Sequence, residues 1–334
     1  MLGLALGYTQ CQSVQPAFET RVPNLTMTSD LLGELLSMQH VTLLDGGMGQ
    51  ELFLRSKKPA TPLFSAQAML DDPEMVIQLH SDFIEAGAEV ICLNAYAATP
   101  ERMTRDADPS FFEMIQKAAV KAALAARKNT RKAVRIAGCL PPLVASYRSE
   151  LIPPKDQAMR SYELIANQQV HSVDLFIAET MSSVAEARYV CHAVDRTDKP
   201  IWVSFTVDDA DGTCLRSGEQ LLAGVEEAAA GGAEAILVNC STPEAVGQAM
   251  AILSKQDLPF GGMANGYVAA AKLKPGDTVD KLATRDDLDP NGYANYAMNW
   301  TEQGATIIGG CCGISPAHIA ELRRRIDVSQ EYLA

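Results

Sequence analysis

Short apolar segments rich in β-branched residues alternate with longer amphipathic segments through almost the whole chain. The longer segments carry apolar residues at the spacing of one helix face, as Met75, Leu79 and Phe83 do. Strict alternation of strands and helices predicts a parallel sheet covered by helices, and eight candidate strands favour a single (β/α)8 TIM barrel. The candidate strands are 41–45, 89–94, 134–138, 174–179, 200–205, 234–238, 259–264 and 305–308.

Capping and turn residues mark the boundaries of the predicted helices. A capping side chain precedes a proline at Asp72, Thr242 and Ser315, which is typical of the start of a helix. Gly87 and Gly304 each lie between a helix and the strand that follows it.

No G-x-G-x-x-G sequence follows the first strand, which argues against an open dinucleotide-binding sheet.

We expect the 334-residue chain to form one domain preceded by an extension. Residues 36–334 would form the barrel, and residues 1–35 would form a poorly ordered N-terminal extension. The apolar stretch near the start is short and no basic residue precedes it, so an export signal is disfavoured.

Composition and charge exclude several classes of partner. The net charge of −13 argues against nucleic acid, because phosphate binding needs clustered Lys and Arg. No apolar run reaches the length of a membrane-spanning helix, so we expect no membrane partner. Eight cysteines are too few for a disulfide scaffold, and Cys92, Cys139 and Cys191 lie in apolar runs, which indicates reduced thiols in the cytoplasm. A homo-oligomer is compatible with these features.

Polar and reactive residues follow the predicted strands at the point where each strand ends. Long loops at 46–71, 139–154 and 265–289 leave the same ends. Because active sites of these barrels lie at the C-terminal face of the strands, we expect these residues to surround one substrate site. They are Asp45, Gly46, Gly47, Asn94, Glu179, Cys240, Asn265, Cys311 and Cys312.

Three cysteines in this set suggest a metal site. Cys240 follows the sixth strand, and Cys311 and Cys312 follow the eighth, two positions away around the barrel. Three thiolates bind Zn²⁺ tightly and leave its fourth tetrahedral position open for a substrate. Two alternatives are a redox protein that uses the adjacent pair Cys311 and Cys312, and a zinc barrel that senses thiols without catalysis.

The motifs at the strand ends resemble those of the zinc-dependent homocysteine S-methyltransferases, a family that includes betaine–homocysteine methyltransferase. The resemblance covers roughly residues 40–326. It implies that Cys240, Cys311 and Cys312 bind zinc, and that Asp45 and Glu179 hold the ammonium group of homocysteine. We place Gly46, Gly47, Asn94 and Asn265 in the same substrate site. The motifs are Leu43-Leu44-Asp45-Gly46-Gly47-Met48-Gly49, Leu93-Asn94-Ala95-Tyr96, Ala178-Glu179-Thr180, Val238-Asn239-Cys240 and Gly309-Gly310-Cys311-Cys312-Gly313.

Methyl transfer to a zinc-bound thiolate restricts the chemistry of the donor. The donor must lose its methyl group as a neutral molecule, and the sequence shows no cobalamin or folate module. We therefore expect a small onium donor, with betaine slightly ahead of S-methylmethionine. Aromatic faces attract such cations, and Tyr96, Tyr147 and Tyr267 are candidates for that role. The second strand ends Leu93-Asn94-Ala95 where the family often has Thr-Asn-Thr, so the resemblance does not assign the donor.

Overall fold

The structure, a computed structural model, describes residues 40–59, 61, 63–268, 275 and 282–331. The predicted N-terminal extension, residues 1–35, lies outside the described residues. Eight parallel strands lie close to the predicted positions, so the strand predictions are confirmed. They are β1 Thr42–Leu43, β2 Val90–Cys92, β3 Arg135–Leu140, β4 Leu175–Met181, β5 Ile201–Phe205, β6 Ala235–Asn239, β7 Phe260–Met263 and β8 Ile307–Ile308.

The strands form a closed barrel. Their order in the sheet is β1-β8-β7-β6-β5-β4-β3-β2, and every pairing is parallel. A parallel bridge between Leu44 and Val90 joins the two ends of this sheet, and the backbone N–H of Asp45 donates to the Val90 carbonyl at 3.1 Å. The predicted (β/α)8 TIM barrel is therefore confirmed.

Helices connect successive strands and cover the outside of the barrel. The predicted loop at 46–71 contains two helices, because apolar residues four apart, such as Met48 and Leu52, bury one helical face. None of the described helices is long and apolar enough to cross a membrane. The helices are α1 Met48–Ser56, α2 Phe64–Asp71, α3 Pro73–Glu85, α4 Pro100–Asp106, α5 Phe112–Lys128, α6 Lys155–Gln169, α7 Val184–Val194, α8 Leu221–Ala230, α9 Pro243–Leu253, α10 Pro290–Glu302 and α11 Pro316–Glu331.

The predicted caps hold the starts of two helices. The side chain of Asp72 accepts a hydrogen bond from the backbone of Met75 at 3.2 Å, in front of α3. Thr242 does the same for Ala245 at 3.4 Å, in front of α9. Each cap satisfies a backbone donor that the first turn of a helix leaves unpaired.

Apolar side chains fill the barrel below its mouth. The large outer core lies between the strands and the helices, and a smaller cluster that includes Leu44, Val90, Ile177 and Leu237 lies inside the barrel. Because side chains alternate between the two faces of a strand, the residue two positions beyond an inner apolar residue points into the mouth. The residues placed in this way are Cys92, Cys139, Glu179 and Asn239.

Candidate active site at the mouth of the barrel

A cavity of about 260 Å³ opens at the carboxyl ends of the strands. Nine residues were predicted to surround a substrate here, and eight of them line this cavity. The eight are Asp45, Gly46, Gly47, Asn94, Glu179, Cys240, Cys311 and Cys312.

The sulfur atoms of Cys240, Cys311 and Cys312 form one cluster at the cavity wall. They lie within 4.8 Å of one another, and the Cys240 and Cys311 sulfurs are 2.8 Å apart. Hydrogen bonds from the Cys311 and Cys312 thiols lower the pKa of Cys240 well below its ordinary value. The hydroxyl of Tyr147 also donates to the Cys240 sulfur, at 3.1 Å. This cluster could hold a metal ion, because it gathers three thiols and favours ionisation of one of them.

The orientation of Cys240 depends on an unusual backbone conformation. Strand alternation alone would turn this residue toward the helices, because its neighbour Asn239 points into the mouth. Instead, Cys240 has a positive φ of 53°, and Thr180 and Tyr147 have values of 62° and 63°. Side chains other than glycine rarely adopt this region, and such strain concentrates at functional sites.

Asn239 connects the cysteine cluster to the end of β4, where Glu179 lies. Its Oδ1 accepts hydrogen bonds from the backbone of Thr180 at 2.9 Å and from the hydroxyl of Ser204 at 2.8 Å. Its Nδ2 donates to the Thr180 hydroxyl at 2.8 Å. All three residues are buried. Because Asn239 precedes Cys240 and Thr180 follows Glu179, this network couples the positions of the thiol and the carboxylate.

Two carboxylates, the buried Asp45 and the half-buried Glu179, lie on either side of Cys92. The backbone N–H of Cys92 donates to Asp45 Oδ2 at 2.9 Å, and its thiol donates to Glu179 Oε1 at 2.7 Å. Burial raises the pKa of both carboxyl groups above their ordinary values. A cationic ligand between them would favour their ionised forms, so the pair suits an ammonium group.

A second group of possible metal ligands consists of Cys92, Cys139 and Glu179, which lie within 4.8 Å of one another. Here the thiols are held in the protonated form. The hydrogen bond with Cys139, followed by burial, raises the pKa of Cys92, and burial raises the pKa of Cys139 to about 11. Hydrogen bonds with Cys240 raise the pKa of Cys311 and Cys312 as well, but the cluster around Cys240 contains a thiol whose pKa is lowered. Because metals bind the thiolate, this cluster is the better candidate.

Asn265 does not line the cavity, so its assignment to the substrate site stays a prediction. Its side chain is fully buried, and Oδ1 accepts a hydrogen bond from the backbone of Tyr267 at 2.9 Å, which folds the chain after β7. Asn94 does line the cavity, with Nδ2 donating to the Ser65 carbonyl at 2.8 Å.

The three tyrosines that the sequence suggests as contacts for a cationic donor lie in different surroundings. Tyr96 and Tyr147 line the cavity, whereas Tyr267 is fully buried and its hydroxyl donates to Gln50. An arginine already lies against each lining ring: Arg102 is 5.2 Å from the centre of Tyr96, and Arg216 is 5.4 Å from the centre of Tyr147. A cationic donor therefore has only part of each aromatic surface available.

Several residues that line the cavity were not among the site residues predicted from the sequence. Cys92 and Cys139 were interpreted as core residues, although their position two beyond Val90 and Ala137 would have placed them inside the mouth. Arg102 gave no signal, because it belongs to α4 and not to a strand end.

Comparison with known proteins agrees with this geometry. The family model for homocysteine S-methyltransferase matches residues 42–326. Homocysteine S-methyltransferase from Escherichia coli (strain K12) is 28% identical over an alignment of 316 positions, which covers 88% of this chain and 98% of that protein. Selenocysteine methyltransferase from Astragalus bisulcatus is 22% identical over an alignment of 354 positions, which covers 91% of this chain and 98% of that protein.

A solved structure resembles the fold over a similar extent. The metallated form of the homocysteine methyltransferase MmuM from Escherichia coli has a TM-score of 0.73 and 25% sequence identity, covering 87% of this chain and 98% of that chain. The enzyme prediction is therefore confirmed over the sensor and redox alternatives. The chain belongs to the homocysteine S-methyltransferase family, and it is a methyltransferase that acts on the sulfur of homocysteine.

Proposed function

We propose that Cys240, Cys311 and Cys312 hold a zinc ion, that homocysteine binds to it through sulfur, and that a small onium compound donates the methyl group. The observation that carries this proposal is the three-thiol cluster beside the carboxylates of Asp45 and Glu179 in one cavity. A thiol-binding position and an ammonium-binding position in the same cavity match the two ends of homocysteine.

The ligand set supports zinc as the metal. Zn²⁺ takes three or four thiolates in tetrahedral sites, and a site with three protein ligands leaves one position for a substrate. When bound, the ion would keep the homocysteine thiol ionised at neutral pH, where a free thiol is mostly protonated. The hydrogen bond from Tyr147 to Cys240 would disperse part of the negative charge of the cluster.

The remaining groups of homocysteine have complementary partners in the cavity wall. Asp45 and Glu179 would bind the ammonium group through charge-assisted hydrogen bonds. Residues Met48 to Gln50 line the cavity at the start of α1. The first N–H groups of a helix have no partner within the helix, so they are suited to bind the carboxylate.

The donor proposal rests on charge. A thiolate nucleophile and a cationic donor neutralise each other during transfer, and a site that excludes water favours that change in the transition state. The thiolate needs no general base in this step. Betaine and S-methylmethionine both meet the chemical requirement of a neutral leaving group.

We further propose that residues 36–334 act as a single domain after an extension of 35 residues, and that the enzyme works in the cytoplasm. One sheet includes every described strand, which supports the single domain. The cluster thiols must stay reduced to bind a metal, which a reducing compartment supports.

A donor comparison tests the proposal. Purified protein, with its zinc content measured, would be incubated with saturating homocysteine and betaine, S-methylmethionine, S-adenosylmethionine or free methyltetrahydrofolate. We expect methionine from at least one onium donor and none from methyltetrahydrofolate. Robust turnover with methyltetrahydrofolate alone would overturn the donor proposal, and an active protein that contains no zinc would overturn the metal proposal.

A further inference from the structure

Arg102 places a positive charge in the wall of the active-site cavity. It lies in α4, whose start is fixed by the Thr99 side chain accepting a hydrogen bond from the Arg102 backbone at 3.1 Å. Its guanidinium lies 5.2 Å from the centre of the Tyr96 ring. Nε and Nη2 donate to the Pro142 carbonyl at 3.3 Å and 3.0 Å, which holds the planar group in one orientation.

Arg102 makes no direct ion pair within the part of the chain that the structure describes, and Asp106 acts on it only through a longer-range electrostatic attraction. The two acidic residues of the same helix are engaged elsewhere: Asp106 pairs with Arg105 at 2.6 Å, and Glu101 accepts a hydrogen bond from Ser161 at 2.6 Å. The contrast with Arg216 is informative, because that residue also lies against a cavity tyrosine but pairs with Asp209 at 2.9 Å.

An unpaired charge in a partly desolvated position is costly, and desolvation lowers the pKa of Arg102 from its ordinary value. The chain has 41 acidic and 28 basic residues, so carboxylates to neutralise this position are abundant elsewhere in the protein. An arginine held rigidly, with Nη1 free of protein acceptors among the described residues, is suited to bind a planar carboxylate from a ligand.

Either homocysteine or the methyl donor could supply that carboxylate. The proposed arrangement of homocysteine favours the methyl donor. Asp45 and Glu179 account for the ammonium group of homocysteine, and the start of α1 accounts for its carboxylate. Building on the proposed function, we infer that Arg102 binds the carboxylate of the methyl donor. The donor then carries both an onium group, directed toward the anionic sulfur cluster, and a carboxylate, directed toward Arg102.

This arrangement would orient the donor by charge at both ends. The onium group is repelled by Arg102 and attracted by the thiolates, so the reversed orientation is disfavoured. Selection against onium compounds without a carboxylate follows, because they leave the half-buried guanidinium without an anionic partner.

The test compares two donors in wild type and in Arg102→Met, which keeps the length of the side chain but removes the charge. The donors are S-methylmethionine and (3-aminopropyl)dimethylsulfonium, which is the same sulfonium without the carboxylate. Arg102→Lys retains the charge without the planar fork. Arg105→Met is the matched control, since Arg105 lies in the same helix outside the cavity lining.

We expect wild type to prefer S-methylmethionine by about 10- to 100-fold in kcat/KM, the usual strength of hydrogen bonds to a charged group. That preference should nearly vanish in Arg102→Met, through a higher KM for S-methylmethionine, and recover in part in Arg102→Lys. Arg105→Met should behave as wild type. The KM for homocysteine and the zinc content should stay unchanged in all variants.

Equal donor preference in wild type and Arg102→Met would overturn the inference, and so would a selective rise in the KM for homocysteine. The proposed function fails separately, because it predicts turnover by wild type with an onium donor before any variant is made. A thermal unfolding midpoint for Arg102→Met close to that of Arg105→Met excludes loss of folding as the cause.

Discussion

The side chain of Asn239 binds Thr180 at two points, through Oδ1 to its backbone N–H at 2.9 Å and through Nδ2 to its hydroxyl at 2.8 Å. Thr180 and Cys240 both have positive φ, and Asn239 lies next to one and in contact with the other. One amide therefore stabilises two strained turns, which carry the thiol of Cys240 and the carboxylate of Glu179.

Replacing Asn239 should disturb both sites together. We expect Asn239→Ala to lower kcat/KM for homocysteine and the affinity for zinc by about 10- to 100-fold each, as loss of groups that orient metal ligands does. Asn239→Asp keeps the acceptor for the Thr180 backbone and should lose less. Asn299→Ala, at an exposed position of α10, is the control. Unchanged zinc affinity and turnover in Asn239→Ala would refute this positioning role.

The metal prediction can be tested without activity. We expect Cys311→Ala to lose most of its bound zinc and its activity, because two thiolates hold the ion far less tightly than three. Zinc per chain would be measured after dialysis. Cys191→Ala should keep wild-type zinc, since Cys191 is a free, buried cysteine of α7 outside the cluster. Full zinc occupancy in Cys311→Ala would contradict the assignment.

Glu179→Gln should separate substrate binding from metal binding. The amide preserves shape but cannot neutralise an ammonium group, so we expect the Kd for homocysteine to rise about 10- to 100-fold. Zinc content should not change. Glu226→Gln, at an exposed position of α8, is the matched control. If calorimetry showed equal homocysteine affinity in Glu179→Gln and wild type, the proposed role would be lost.

His80 should make the folded state sensitive to acid. It is fully buried in α3, and neither ring nitrogen has a hydrogen-bond partner among the described residues. Burial lowers its pKa to about 4. An unfolded histidine takes up its proton near pH 6.5. The unfolded state therefore binds more protons between these values, and the free energy of unfolding falls as the pH decreases through this window.

His80→Leu removes that contribution while keeping an apolar side chain of similar size. Between about pH 7.5 and about pH 4.5, urea unfolding should show wild type losing about 2–3 kcal/mol more stability than the variant. Near neutral pH the variant should be more stable than wild type, because an unsatisfied polar group is no longer buried. Parallel pH dependence of the two proteins would show that His80 is not the group responsible.

The sequence by itself determined the barrel and most of its rim. Strands and helices differ in the period of their apolar residues, and that period is visible without a structure. Because parallel strands all end at one face, residues after different strands had to meet there. For this reason Cys240, Cys311 and Glu179 could be placed in one site although they are far apart in the chain.

Only the tertiary structure decided which of these side chains enter the cavity. Beyond the last paired residue of a strand, alternation no longer sets the direction of a side chain, and backbone dihedrals and loop packing do. A positive φ turns Cys240 into the mouth. Asn265 instead stays buried, because its side chain accepts a hydrogen bond from the Tyr267 backbone. Arg102 comes from a helix, and its place in the wall depends on contacts with Tyr96 and Pro142 that no local pattern encodes.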